Sequence, residues 1–136
     1  MQDNYALVSK DVPLISNLNI IENIALIHEV HQNMPAQKAE SNILELLQKI
    51  SLENIANQRI PTCNDFELFC AMLIRAVQTQ RKTIFIVTPF SLISSLMTVN
   101  EIISIIEKLD LKKDIIILDL QNNKSNYEGV LCHIVK

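Results

Sequence analysis

The sequence predicts an α/β fold, with a small, mostly parallel sheet of three to four strands and an all-helical insertion. The second half of the chain alternates helix, strand, helix and strand, an order that predicts right-handed βαβ crossovers. Short runs rich in β-branched residues supply the strands. Between residues 19 and 57 the apolar positions follow helical spacing instead. The chain has 136 residues, and at about 150 residues per domain we expect one domain.

Four short apolar segments are the predicted strands. Tyr5–Val8 is an apolar run at the start of the chain. Thr83–Val87 is a continuous β-branched and aromatic run, which is typical of a buried parallel strand. Residues 115–120 form a second apolar run with a single acid, Asp119, and residues 129–135 are the last predicted strand.

The inserted segment between the first two strands is predicted to hold two helices. The first begins near Ile20, where Asn17 or Asn19 can cap it. Met34-Pro35 ends that helix, and the second covers residues 36–50 with an amphipathic pattern. We expect a turn or a third small helix over residues 51–57.

Two further helices are predicted between the later strands. Asn64 or Asp65 caps a helix over residues 66–79, which is hydrophobic nearly all round and therefore deeply buried. The other covers residues 94–109. Residues 121–126 are polar and are predicted to form a loop.

Composition argues against several classes of function. The net charge of −3 provides no basic field for nucleic acid. The one glycine, Gly129, cannot build a phosphate-binding loop, which needs several glycines close together. Three cysteines without a CxxC pair indicate free thiols, and we expect no metal site. The N-terminal residues lack the pattern of a signal peptide, and no apolar run is long enough to span a bilayer. We therefore expect a cytoplasmic protein.

Several segments resemble the ATP-binding domain of ABC transporters. Residues 11–26 resemble the Q-loop of that family and the segment after it, and Glu22-Asn23-Ile24 is the most specific piece. Met34-Pro35 fits the helical subdomain, Ile74-Arg75-Ala76 resembles the end of the signature helix, and Thr88-Pro89 falls where the family has Glu-Pro. The resemblance implies a P-loop NTPase (ABC ATPase)-like fold.

The resemblance covers almost all of the chain but omits the first part of the family domain, including its Walker A loop. We expect one domain over residues 1–136, degenerate and truncated, lacking the P-loop and with the helical subdomain at about 19–62. By the resemblance, the family's functional positions carry other side chains here: Lys10 (Q-loop glutamine), residues 63–67 (signature), Val87 and Thr88 (Walker B aspartate and catalytic glutamate), Ser94 (D-loop), and Leu120 or Asp119 (switch histidine). This implies no catalytic residue, no cofactor, no metal and no enzyme activity.

The resemblance also implies a surface for partners. In the family, the groove between the Q-loop and the helical subdomain receives a short helix of a membrane permease. Here that groove would extend from Lys10 to Ile24 with a contribution from the helix at 36–50. The partner-binding residues expected from this are Lys10, Asp11, Val12, Pro13, Leu14, Ile15, Leu18 and Ile21.

The same resemblance predicts how the strands are ordered. Residues 5–9, 83–88 and 114–119 are expected to form a contiguous parallel sheet with 83–88 in the centre. Without the Walker A strand, the edge of 114–119 is exposed, and an apolar edge invites pairing. Residues 129–135 or a second chain would then pair with it, and in the second case a homo-oligomer would form.

The leading functional hypothesis is a non-catalytic, ABC-ATPase-like interaction or regulatory subunit of a membrane transporter, unable to hydrolyse ATP alone. Its partners would be a permease and an intact ATPase subunit at the inner face of the membrane. A stand-alone, self-associating α/β domain of regulatory role is the alternative, and half of a split ATPase is a third reading.

Overall fold

The computed structural model describes residues 4–31 and 35–127. Three strands and five α-helices occur in these residues, with 3₁₀ turns between some of them. Their bounds are β1 Tyr5–Val8, α1 Ile20–His31, α2 Ala36–Lys49, α3 Asp65–Val77, β2 Thr83–Val87, α4 Pro89–Leu92, α5 Asn100–Leu109 and β3 Asp114–Leu118. The 3₁₀ helices are Glu53–Ile55, Ile60–Thr62 and Gln121–Tyr127.

The strands form one parallel sheet in the order β1-β2-β3. Leu7 lies beside Phe85, and Phe85 lies beside Ile116. The predicted order, with residues 83–88 in the centre, is confirmed. The α/β fold class is confirmed as well.

Two asparagines start helices α1 and α3, which are the first helix of the inserted segment and the helix that follows this segment. The Asn64 side chain accepts a hydrogen bond from the Glu67 amide, and the Glu67 carboxylate accepts one from the Asn64 amide. Asn19 and Glu22 make the same reciprocal pair at 2.8 and 2.9 Å. Each pair satisfies backbone donors that a helix start leaves without partners.

The core lies on one face of the sheet, where the helices pack. The strand side chains on this face are Ala6, Val8, Ile84, Ile86, Ile115 and Ile117. Helix α3 passes through the centre of the core, and seven of its residues are buried. This agrees with the prediction of a deeply buried helix. Helix α2 packs against α1.

Three of the predicted elements differ from those observed. The helix predicted over 94–109 begins only at Asn100, because Pro89 starts the short helix α4 and the Glu101 carboxylate accepts from the amides of Met97 and Thr98 ahead of α5. The polar segment after β3, predicted to be a loop, is a 3₁₀ helix that continues to Tyr127. Strand β3 ends at Leu118 rather than at residue 120. The strand predicted over 129–135 lies outside the described residues.

Candidate partner-binding site

Residues 10–18, here called the clamped segment, connect β1 to α1 and follow the carboxyl end of β1. The segment begins in a tight turn, because the Ser9 carbonyl accepts a hydrogen bond from the Val12 amide at 3.0 Å. The Ser9 hydroxyl oxygen also accepts one from the Asp11 amide at 3.2 Å. Ser9 is buried, so this turn is anchored in the protein interior.

Arg75 of α3 holds the first half of the clamped segment. Its Nη1 atom donates to the Pro13 carbonyl at 2.9 Å, and its Nη2 atom donates to the Val12 carbonyl. Burial lowers the pKa of this guanidinium from its usual value, yet an arginine stays charged in proteins. The observed partners are two backbone carbonyls, which no local pattern in the sequence reveals.

Asn23 of α1 holds the second half of the segment. Its side chain is 2% exposed, and its Oδ1 atom accepts from the Ile15 amide at 2.6 Å. Its Nδ2 atom donates to the carbonyls of Ile15 at 3.1 Å, Leu18 at 3.4 Å and Asn19 at 3.0 Å. A single buried amide therefore determines the path of the chain into α1.

The clamped segment nevertheless presents apolar side chains to solvent. Val12 is 38% exposed and Ile15 is 43% exposed. Leu14 is half-buried and packs against the core, and Leu18 is half-buried too. Ile21 is buried and belongs to the core, so it offers nothing to a partner.

A cavity of about 260 Å³ lies between the clamped segment and α3. Its lining is mainly apolar. Each wall contributes one charged residue, which is Lys10 from the clamped segment and Asp65 from α3. The lining residues are Lys10, Pro13, Leu14, Ile60, Asp65, Leu68, Phe69, Met72 and Leu92. The second wall of this cavity is formed by α3 together with Ile60 and Leu92.

The positions that the resemblance assigned to catalysis have structural partners. The Ser94 hydroxyl donates to Asp65 at 2.8 Å, which joins the start of α3 to the segment after α4. The Asp119 carboxylate accepts from the Leu120 amide, from Asn123 at 2.9 Å and from the Tyr127 hydroxyl at 2.6 Å. Asp119 thus caps the turn that follows β3.

Thr88 has an unusual backbone conformation at the carboxyl end of β2. Its φ of 46° and ψ of 61° are left-handed, although it is β-branched and precedes Pro89. Both features disfavour this region of φ/ψ space. The Thr88 amide donates to the Leu118 carbonyl at 2.7 Å, which ties the strained residue to β3.

Comparison with known proteins supports the fold alone. No family model matches the sequence, and no curated protein is similar to it. The dimeric structure of MJ0796, a bacterial ABC transporter cassette, matches with a TM-score of 0.64 and 22% identity. A post-hydrolysis state of MJ0796 bound to ADP and Pi matches with a TM-score of 0.63 and 24% identity. Each match covers 88% of this chain and 54% of the cassette.

The chain therefore has the fold of about half of an ABC transporter ATP-binding cassette, and the predicted resemblance is confirmed at the level of fold. The expectation that the chain is not an enzyme is wrong, because the chain shares its fold with ATP-binding cassettes, whereas the expectation rested only on the side chains at the motif positions. The structures that share its fold are ATP-binding cassettes, and one of them is described after hydrolysis.

Two further properties concern the described residues only. No helix among them is long and apolar enough to cross a bilayer. Over the same ranges, no three histidine, cysteine or acidic side chains gather in a way that would hold a metal ion.

Proposed function

We propose that this chain is an ABC-ATPase-like component of a membrane transporter, and that its clamped segment docks on a short helix of the membrane subunit. The observation that carries this proposal is the combination of rigid backbone and exposed apolar side chains. Arg75 and Asn23 hold the segment from both sides, while Val12 and Ile15 remain in contact with water. A surface that is ordered before binding loses less conformational entropy when the partner arrives.

The chemistry of the segment suits an amphipathic helix. Val12 and Ile15 offer apolar contact, and Lys10 and Asp11 lie beside them as exposed charges of opposite sign. Apolar contacts provide affinity for a helix in a groove, whereas charges at the rim orient it. This arrangement would place the protein at the cytoplasmic face of the membrane, together with a permease and a further ATPase subunit.

The cavity behind the segment adds a second contact. Its volume of about 260 Å³ is below the roughly 300–1,000 Å³ of small-molecule sites. A space of this size suits a large apolar side chain, and such anchors dominate the affinity of many interfaces. Lys10 and Asp65, both part of its lining, would contact polar groups of the partner that lie beside that side chain.

Co-purification from gently solubilised membranes of the source organism tests the proposal. The tagged chain is expected to recover a transporter membrane subunit, and the double variant Val12→Asp with Ile15→Asp is expected to lose it. Both side chains are exposed, so the fold should survive, whereas Leu14→Asp would put a charge against the core. Met97→Asp changes an exposed apolar residue elsewhere and is the matched control.

Equal recovery by the wild type and the double variant would refute the clamped segment as the docking surface. Recovery of the chain alone, as a self-associated species without any membrane protein, would favour a stand-alone regulatory domain instead.

A further inference from the structure

Arg59 lies in the connection between α2 and α3, beside the last turn of the clamped segment. Its Nη1 atom donates to the Asn17 carbonyl at 2.9 Å. Asn17 belongs to the turn that the Leu18 amide closes by donating to the Ile15 carbonyl at 3.2 Å. Because the Ile15 side chain is exposed, the Arg59 guanidinium lies at one end of the apolar surface that is proposed to dock.

The backbone of Arg59 is fixed independently of this contact. Arg59 pairs with Asn19 in an isolated antiparallel bridge just before α1. The Arg59 carbonyl accepts hydrogen bonds from the Thr62 amide at 3.0 Å and from the Thr62 hydroxyl at 2.8 Å. The side chain therefore extends from a defined position, so less conformational entropy is lost when its guanidinium binds a partner.

Most of the donors of the Arg59 guanidinium are unused. A guanidinium carries several N–H donors in a planar fork. Among residues 4–31 and 35–127, the Asn17 carbonyl is the hydrogen-bond partner of this guanidinium, and no acidic side chain in these ranges pairs with it. Arg59 is also exposed. Its Nε and Nη2 donors are therefore available to a group that arrives with a partner.

The free donors favour a carboxylate of a protein as that group. The planar fork of an arginine matches the two oxygens of a carboxylate, which it binds in a bidentate pair. A lipid phosphate offers similar oxygens. However, Val12 and Ile15 are exposed on the same segment, and these side chains need apolar side chains opposite them, which a layer of headgroups does not provide.

We propose that Arg59 determines the specificity of the docking surface by binding a carboxylate on the short helix of the membrane subunit. The acid lies on that helix beside the apolar side chains that contact Val12 and Ile15. A helix with a basic residue at this place would repel the guanidinium and is therefore rejected. The inference rests on the proposed docking function, which it extends from apolar contact to the recognition of one charge.

Zero-length cross-linking tests this contact directly. Arg59→Lys places a primary amine close to the position of the guanidinium, and a carbodiimide couples an amine only to a carboxylate in contact with it. In membranes of the source organism, mass spectrometry is expected to find an amide between position 59 and an acidic residue on a cytoplasmic helix of the membrane subunit. Met97→Lys, at an exposed apolar position elsewhere, is the control and should give no amide with that helix.

An amide between position 59 and another part of this chain, or no amide from position 59, would overturn the inference. The first result would show that the acidic partner of Arg59 is internal. The second would show that no carboxylate of a partner reaches it.

Arg59→Ala and Arg59→Glu separate charge recognition from a structural role. Both variants lose the bond to Asn17, but only glutamate repels a carboxylate of the partner. With inverted membrane vesicles of the source organism, the apparent Kd should rise about fivefold for alanine, as for a strong exposed ion pair. It should rise more than about twentyfold for glutamate, since like charges at an interface oppose binding. High salt should reduce the difference between the variants, and equal Kd values at low salt would overturn the inference.

Further comparisons distinguish this inference from the docking function on which it rests. Liposomes made from the extracted lipids of the same membranes should not bind the chain. Binding to them that depends on Arg59 would assign the guanidinium to a headgroup phosphate and overturn the inference. If Val12→Asp with Ile15→Asp loses binding to the vesicles while Arg59→Glu keeps it, docking stands and charge recognition is wrong. Equal binding by the wild type and the double variant would remove both.

Discussion

The Nη1 atom of Arg75 lies 2.9 Å from the carbonyl oxygen of Pro13, across 62 positions of the chain. This contact fixes an exposed segment to the most buried helix of the core. It therefore connects the stability of the fold to the geometry of the proposed docking surface.

Replacement of Arg75 by lysine is expected to weaken both stability and docking. The ammonium keeps the charge but cannot reach two carbonyls with a planar fork. We expect a loss of about 1.5–3 kcal/mol in the free energy of unfolding, which is the range for hydrogen bonds to charged groups. Urea denaturation measures this free energy. The control is Lys38→Ala on the exposed side of α2, which should lower the free energy of unfolding by less than about 0.5 kcal/mol. Equal effects of the two substitutions on the free energy of unfolding would contradict the role of Arg75 in holding the clamped segment.

Asn23→Ala is expected to destabilise the protein by about 1–3 kcal/mol, because it leaves the Ile15 amide and nearby carbonyls without their partner. Asn42→Ala, at an exposed position of α2, is the matched control and should change little. Amide hydrogen exchange at Ile15 should accelerate in the first variant only. Unchanged protection of Ile15 would show that Asn23 does not hold the segment.

Thr88→Gly is expected to stabilise the protein despite the entropy that glycine loses on folding. Strained backbone destabilises the folded protein by about 1–3 kcal/mol. The extra conformational freedom that glycine loses on folding destabilises it by only about 0.5–1 kcal/mol. The melting temperature should therefore rise slightly. The same change at Thr98, which is exposed and has no positive φ, should lower it. A similar decrease at both positions would argue against strain at Thr88.

Cys70 is expected to resist alkylation in the folded protein. Burial, and to a lesser degree the nearby Glu67 carboxylate, raise the pKa of its thiol to about 12 from 9.0. At pH 8 the reactive thiolate is then about a thousandfold rarer than at an unperturbed cysteine. Iodoacetamide labelling with peptide mass spectrometry should modify the Cys70 peptide only after denaturation. Rapid labelling of Cys70 itself in the native protein would contradict its buried position.

Strands β1 and β2 and the starts of α1 and α3 were predictable because each depends on neighbouring residues. Apolar, β-branched runs identified β1 and β2 with their observed bounds, and Asn19 and Asn64 were among the expected caps. Resemblance to a known family added the strand order, which periodicity alone does not contain.

The candidate site was less predictable because it depends on contacts distant in sequence. Glu22 serves the start of α1, as its position near the expected cap suggests, but the Asn23 side chain turns back to the preceding loop, which no local pattern indicates. The second wall of the cavity comes from α3, Ile60 and Leu92, which no local pattern links to residues 10–18. Ile21 matches the apolar pattern of the segment, yet its helical position places it in the core.

Cross-linking from position 15 is the most direct measurement of the docking claim. Benzoylphenylalanine in place of Ile15, activated in intact membranes, is expected to form an adduct with a short helix at the cytoplasmic side of a transporter membrane subunit. The adduct should disappear when Val12→Asp is added and persist when Met97→Asp is added. An adduct to soluble proteins alone, or one that is indifferent to Val12→Asp, would contradict the account.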